Sequence, residues 1–222
     1  MNIFLVLAHP EPKSFNGALF REAYQLLTKQ GHSVRTSDLY SMRFNPVSDR
    51  HNFTTIKDPD FFKPQAEEIH ATEVGGFAPA LEAELQKIEW CDLTIWQFPL
   101  WWFGLPAILK GWVDRTFAMG RTYGDGRFYQ TGVFKGKRAL LSLTTGGAGS
   151  HYEKGGWNGD IHSILRPIHR GILEFTGFSV LSPHIVYGPA HHDQVERVKE
   201  LERYIDRLRQ IEQETPYEVG QY

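Results

Sequence analysis

Three stretches of the chain concentrate residues able to grip a flat, charged ligand. The first, AHPEPKSFNGA at 8–18, sets His9, Ser14 and Asn16 where a strand gives way to a helix. A helix start carries free N–H groups and partial positive charge, so it suits a phosphate. Ser14 is either a hydroxyl donor to such a group or a plain N-cap, and His9 either a donor or a loop residue with no task. There is no GxGxxG and no Walker-type lysine, so neither the dinucleotide fingerprint nor a P-loop is present. The second stretch, QFPLWWFGLPAILKGW at 97–112, has Pro99 and Pro106 to stop a strand and start a helix. Trp101, Trp102 and Phe103 then fall on a turn at a strand end. Three adjacent aromatics on a turn make an odd core and a good platform for a ring. The third, TTGGAGSHYEKGGWNGD at 144–160, opens with two threonines and two glycines. The glycines let backbone approach a ligand closely, and Thr144 and Thr145 offer hydroxyls and amides to the polar edge of a heterocycle.

These loops act together only if the fold brings them to one edge. Residues 2–8, NIFLVLA, are an unbroken apolar run, the pattern of a strand buried on both faces. A helix at 15–29 follows, with Gly31 as its stop, and then a second strand in HSVRTSDLY. Strand, helix, strand implies a parallel sheet with a right-handed crossover. The rhythm continues with a helix at 81–89, a strand at 92–98, a helix near 106–117 and a strand at 137–144. A helix near 160–176, a strand at 179–187 and an amphipathic helix at 191–212 complete it. The sequence therefore predicts one α/β domain over 1–222, a doubly wound five-stranded parallel sheet. Its ligand crevice should lie at the carboxyl ends of the strands, where strand order reverses. Residues 41–80 interrupt the pattern as a long loop excursion after the second strand. Its Phe53, Phe61, Phe62 and Phe77 argue against disorder and must pack somewhere, a second subunit being the surface expected.

Composition narrows the function classes. A formal net charge of −2 gives no bulk attraction to nucleic acid or an anionic membrane. The single cysteine, Cys91, excludes an internal disulfide and a thiolate zinc site. The start, MNIFLVLAHPEP, reads as a first strand rather than a signal peptide, and no apolar run reaches spanning length. A soluble cytoplasmic protein is expected. His191-His192-Asp193 is read as a helix cap with Asp193 at the positive dipole end, and no metal is proposed.

A phosphate-type helix start, an aromatic platform and a glycine floor on one edge together suit a flat polar ring with a phosphate tail, and flavin fits best. HPEPKSFNGA, QFPLWWFGLPAILKGWVDRTF and TTGGAGSHYEKGGWNGD resemble the three signature loops of the NAD(P)H:quinone oxidoreductases, the DT-diaphorase family with a flavodoxin-like fold. The resemblance covers nearly the whole chain, including the excursion RFNPVSDRHNFTTIKDPDFFKPQAEE and the closing QETP. The long loop resembles FAD-binding members more than the shorter FMN-binding ones.

The resemblance implies FAD lying across the strand ends of a homodimer. It puts His9, Ser14, Phe15, Asn16 and Ala18 around the phosphates and ribityl chain. Pro99, Leu100, Trp101, Trp102 and Phe103 would line the isoalloxazine, with Thr144, Thr145, Gly146, Gly147 and Tyr152 at its other edge. Arg197 would stand near the adenosine end, or be a solvated helix-face charge. NADH or NADPH and then a quinone would use one slot in turn, built from Trp102, Phe103, Gly147 and His151, with Tyr123, Asp125 and Phe175 supplied by the partner subunit. The implied reaction is two successive hydride transfers, nicotinamide to flavin and flavin to quinone. Tyr152 and the amides of the TTGG turn, Gly146 among them, would stabilise charge building at the flavin N1–O2 edge.

The chain departs from the best-known members in particular places. The histidine of their proposed Tyr–His proton relay is Asn158 here, six residues after Tyr152. Asparagine donates a hydrogen bond but carries no proton near neutral pH. Either the relay is dispensable, or His151 or His162 substitutes, or water supplies the proton. Asp125 stands where those members often have Tyr, which should make the acceptor pocket more polar. The long C-terminal extension of some members is absent from this sequence. A flavodoxin-like electron carrier and a regulatory flavoprotein subunit are the alternative functions, and the aromatic slot argues against the carrier.

Overall fold

The computed structural model describes residues 1–220. The strands are β1 (Asn2–Leu7), β2 (Ser33–Asp38), β3 (Leu93–Pro99), β4 (Arg138–Thr145), β5 (Ser179–Val180) and β6 (His184–Tyr187). The helices are α1 (Phe15–Lys29), α2 (Pro64–Val74), α3 (Pro79–Trp90), α4 (Ala107–Thr116), α5 (Ile161–Ile168) and α6 (Gln194–Arg209). The sheet runs β2-β1-β3-β4-β5, with β6 also on β4, and every pairing is parallel. Strand order reverses at β1 and β3, so the crevice belongs above their carboxyl ends.

The central strands are apolar on both faces because each face carries helices. Phe4, Val6, Trp96, Phe98, Leu141 and Leu143 point into a core with residues of α3, α4 and α5. Ile3, Leu5, Leu93, Ile95 and Leu140 point the other way, against α1 and α6. Such alternation is the period-two geometry of a strand. The first face is locked by a buried polar group. Glu84 is fully buried, and its carboxylate accepts from Ser37 Oγ at 2.7 Å and Trp112 Nε1 at 2.9 Å and pairs with Lys87 at 2.6 Å. That one carboxylate ties β2, α3 and α4.

The excursion is more ordered than its composition implies. It contains α2, a helical turn at Arg50–Asn52, and a bridge between Phe53 and Phe77. Phe53 packs on Phe62 and Phe77 at 6.3 and 5.8 Å, so these rings find partners within the chain, while Phe61 stays exposed. The excursion is docked as well: a Cβ at Gly111 of α4 would collide with Pro46. Two further expectations are corrected. The strand expected at 179–187 is split into β5 and β6, because Pro183 has no N–H to give to β4. The helix expected to 176 is α-helical only to Ile168. Pro167 lies inside it, and the backbone widens into a π-turn over His169–Glu174.

Candidate functional site

A cleft of about 750 Å³ opens above the carboxyl ends of β1, β3 and β4. It is lined from the first loop by His9, Ser14, Phe15, Asn16 and Ala18. The second contributes Pro99, Leu100, Trp101 and Trp102, and the third Thr144, Thr145 and Gly146. Arg197 also lines it, with its Nε donating to the Pro189 carbonyl at 3.2 Å.

The loop after β1 is held by its own polar groups. Ser14 Oγ accepts from the Gly17 N–H at 3.1 Å and so caps α1. The N–H groups of Phe15 and Asn16, in the first turn, have no intrahelical acceptor. With Lys13 and Arg197 they give the cleft positive character, and among the described residues no carboxylate lines it. Gly17 is required by close approach, since a Cβ there would collide with the Pro12 carbonyl. His9 Nδ1 accepts from the Glu11 N–H at 3.0 Å. The Glu11 carbonyl stands 3.2 Å from the same nitrogen and takes its proton in the other tautomer. Burial, opposed by the Glu11 carbonyl and carboxylate, lowers the His9 pKa and keeps the ring neutral at pH 7. A neutral imidazole carries one N–H, so His9 offers a single uncharged donor.

A buried amide chain welds the loops together. Gln97 Nε2 donates to Asn16 Oδ1 at 2.8 Å, and Asn16 Nδ2 donates to Thr144 Oγ1 at 2.9 Å. Thr145 Oγ1 donates to the Gly147 carbonyl at 2.8 Å and fixes the third turn. The Asn16 side chain is spent on this scaffold, leaving its backbone N–H for a ligand.

The aromatic turn is strained. Trp102 and Phe103 have φ of 51° and 58°, and the turn is closed by Gly104 N–H to Trp101 carbonyl at 3.0 Å. Large side chains in the left-handed region cost about 1–2 kcal/mol each. The strain holds the rings outward: Trp102 is 98% exposed and Phe103 52%, while Trp101 tilts against His9 at 6.2 Å. Phe103 flanks the cleft rather than lining it.

Beyond Gly146 the third loop gathers the groups proposed for proton handling. A Cβ at Gly147 would lie 3.0 Å from His151 Nδ1, 3.5 Å from the Tyr152 ring and 3.8 Å from Asn158 Nδ2. His151, Tyr152 and Asn158 thus surround one glycine. His162 stands apart, exposed at the start of α5 and 6.0 Å from Tyr217. Tyr123 and Phe175 pack together at 5.8 Å on a separate cavity of about 230 Å³ shared with Glu68. Asp125 is exposed, with φ of 53° and Arg127 at 4.0 Å. These last three do not reach the cleft within one chain.

Sequence reasoning missed Lys13 and a fourth loop after β6, where Pro189 and Ala190, then Gln194, Val198 and Leu201 of α6, extend the cleft. The signal was the cap of α6. Asp193 Oδ1 accepts from Glu196 N–H and Glu196 returns the bond, so the chain turns at the sheet edge just there. Among the described residues no group of three His, Cys, Asp or Glu could hold a metal.

The chain has the flavodoxin-like fold, whose family model matches residues 1–210. It is 45% identical over 213 residues to NAD(P)H dehydrogenase [quinone] 1 of Rattus norvegicus, covering 96% of this chain and 78% of that protein. It is 42% identical to the rat ribosyldihydronicotinamide dehydrogenase [quinone], covering 96% and 93%. A solved putative quinone reductase from Klebsiella pneumoniae superposes with a TM-score of 0.94 at 39% identity, over 97% of this chain and 86% of that one. The chain belongs to the quinone reductase family of flavodoxin-like fold.

Proposed function

We propose that this quinone oxidoreductase works through bound FAD, receiving hydride from NADH or NADPH and passing it to a quinone in a second, separate step. The observation that carries FAD is the length of the cleft. A mononucleotide would end at the start of α1, whereas the cleft runs on past Lys13 to Ala190, Gln194, Arg197 and Leu201. The donor set suits a dinucleotide: open amides and two cations for phosphates, an aromatic turn for a ring, and threonine hydroxyls for its polar edge. When bound, FAD supplies the capacity to take and return a hydride.

The chain's own residues bind and orient. Phe15 and Asn16 N–H groups and Lys13 hold phosphate, and neutral His9 adds a donor without adding charge. Arg197 is tethered through Nε to the Pro189 carbonyl at 3.2 Å, which leaves its terminal nitrogens for the adenosine end. Trp102 and Phe103 wall the slot where donor and acceptor alternate. Tyr152 and the amides of Gly146 and Gly147 stabilise negative charge at the cofactor's edge. His151 takes the proton-supplying task that Asn158 cannot perform, because it meets Tyr152 and Asn158 at Gly147.

Tyr123, Asp125 and Phe175 lie away from the cleft of their own chain, which supports their completing the slot of a second copy. A homodimer is therefore part of the proposal, as is a cytoplasmic location. Among the described residues no helix is long and apolar enough to cross a membrane. The lone Cys91 is buried, with its thiol pushed up to about 12 by burial, and is a poor nucleophile.

Stopped-flow half-reactions test the scheme. His151→Ala should leave reduction by NAD(P)H within about twofold and slow quinone reduction about 10²-fold, the ordinary worth of a positioned proton donor. Equal slowing of both halves would remove His151 from that role. A donor panel of NADH, NADPH and dihydronicotinamide riboside decides the hydride source; exclusive use of the riboside would overturn the NAD(P)H assignment.

A further inference from the structure

Trp157 is 90% exposed, yet it stands on a tightly turned backbone. The turn around it is closed by Gly156 N–H to Glu153 carbonyl at 2.8 Å, Asn158 N–H to His151 carbonyl at 2.8 Å and Gly159 N–H to Gly156 carbonyl at 3.1 Å. Gly155 and Gly159 take φ of 89° and 78°, and a Cβ on Gly156 would sit 2.5 Å from the Ser150 carbonyl oxygen. The backbone on both sides of the indole is thus committed. One face of the ring lies on His151, with centroids 5.1 Å apart and planes within 20°. His151 in turn reaches Gly147, which directly follows the cleft residue Gly146. The other face of the indole is open. A turn of this kind needs no tryptophan, and an exposed indole adds nothing to the core. What it adds is a second flat surface one ring outward from the acceptor slot.

We propose that Trp157 is a specificity-determining residue of the acceptor site, whose open face stacks the outer rings of fused-ring acceptors while the reacting ring is held at Gly147. This deepens the quinone reductase reading and rests on it. A single-ring quinone has nothing to lay on the indole; a three-ring quinone does. Stacking of this type contributes on the order of 1 kcal/mol, a factor of roughly five to ten.

The test compares p-benzoquinone with 9,10-phenanthrenequinone in steady-state kinetics of the flavin-loaded wild type, Trp157→Ala and Trp157→Phe. In W157A the KM for phenanthrenequinone should rise roughly five- to tenfold and that for p-benzoquinone less than twofold, with kcat for the large quinone held. W157F should recover most of the loss. Calorimetric binding of phenanthrene-9-carboxylate, an unreactive three-ring probe, should weaken by the same factor. An equal change for both quinones, no change for either, or a W157A variant whose oligomeric state shifts would overturn the assignment. Wild type that reduces neither quinone would instead bring down the underlying reading, and this inference with it.

Discussion

At the residue scale, function is written most plainly in backbone that the side chains resist. Trp102 and Phe103 occupy left-handed positions that asparagine or glycine would take at lower cost. Trp102→Asn should raise stability by about 1 kcal/mol in chemical denaturation and lower kcat/KM for quinone at least tenfold. Unchanged stability would show that the turn stores no strain. Buried histidines give a second residue-level expectation. Burial lowers the pKa of both His169 and His184 to about 3. Both are neutral in the folded and unfolded chains at pH 7. As pH falls below about 6.5 the unfolded chain takes up their protons first, so each contributes a slope of about 1.4 kcal/mol per pH unit. Stability should therefore drop between about pH 6 and 4. Both ring nitrogens of His184 lack a hydrogen-bond partner among the described residues, and its ring packs tilted against Tyr204 at 4.5 Å. His184→Phe should keep the ring packing and remove about half of that slope, as followed by urea midpoints across the range. The aromatic platform and the threonine–glycine turn were legible because residue type alone marks them. The positive φ angles were not, since nothing in Trp-Trp-Phe announces them.

At the scale of elements, the strands read easily because both faces of the central ones are buried and the runs are unbroken. α2 was invisible because its buried positions include Glu67 and Glu68 beside Ala71. Glu67 accepts from the Lys57 and Asp58 N–H groups at 2.7 and 3.1 Å, and Glu68 from the Met119 N–H at 2.7 Å. Carboxylates used as internal caps leave no apolar period to detect. Lys13 and the loop after β6 were missed for another reason. Lys13 carries no motif of its own, and the capping box at Asp193 marks where α6 starts but not that α6 returns across the sheet end, a tertiary fact. The bond chain Gln97–Asn16–Thr144 is the element-level device that keeps three loops in one geometry. Asn16→Ala should cost about 1–2 kcal/mol of stability and loosen flavin retention during dialysis, because it leaves both neighbours short of a partner. Loss of stability with full flavin retention would reduce Asn16 to a packing residue.

At the scale of the whole molecule, one chain holds a cleft of about 750 Å³ but keeps Tyr123 and Phe175 on a different surface. If two copies complete each other's sites, a mixed dimer of one Trp102→Ala chain and one Phe175→Ala chain should retain one intact site. Such a heterodimer would show about half of wild-type activity, well above either homodimeric variant, and no such rescue would put Phe175 in its own chain's structure only. The claim beneath all of this is that the cleft carries FAD and passes hydride both ways. The most direct measurement is the absorbance spectrum of the purified, FAD-reconstituted protein under anaerobic conditions, with NADH or NADPH added first and a benzoquinone second. The account predicts flavin bands that bleach with the nicotinamide and return with the quinone, and release of FAD rather than FMN on denaturation. Failure to take up either flavin, or bound flavin that no nicotinamide bleaches, would contradict it.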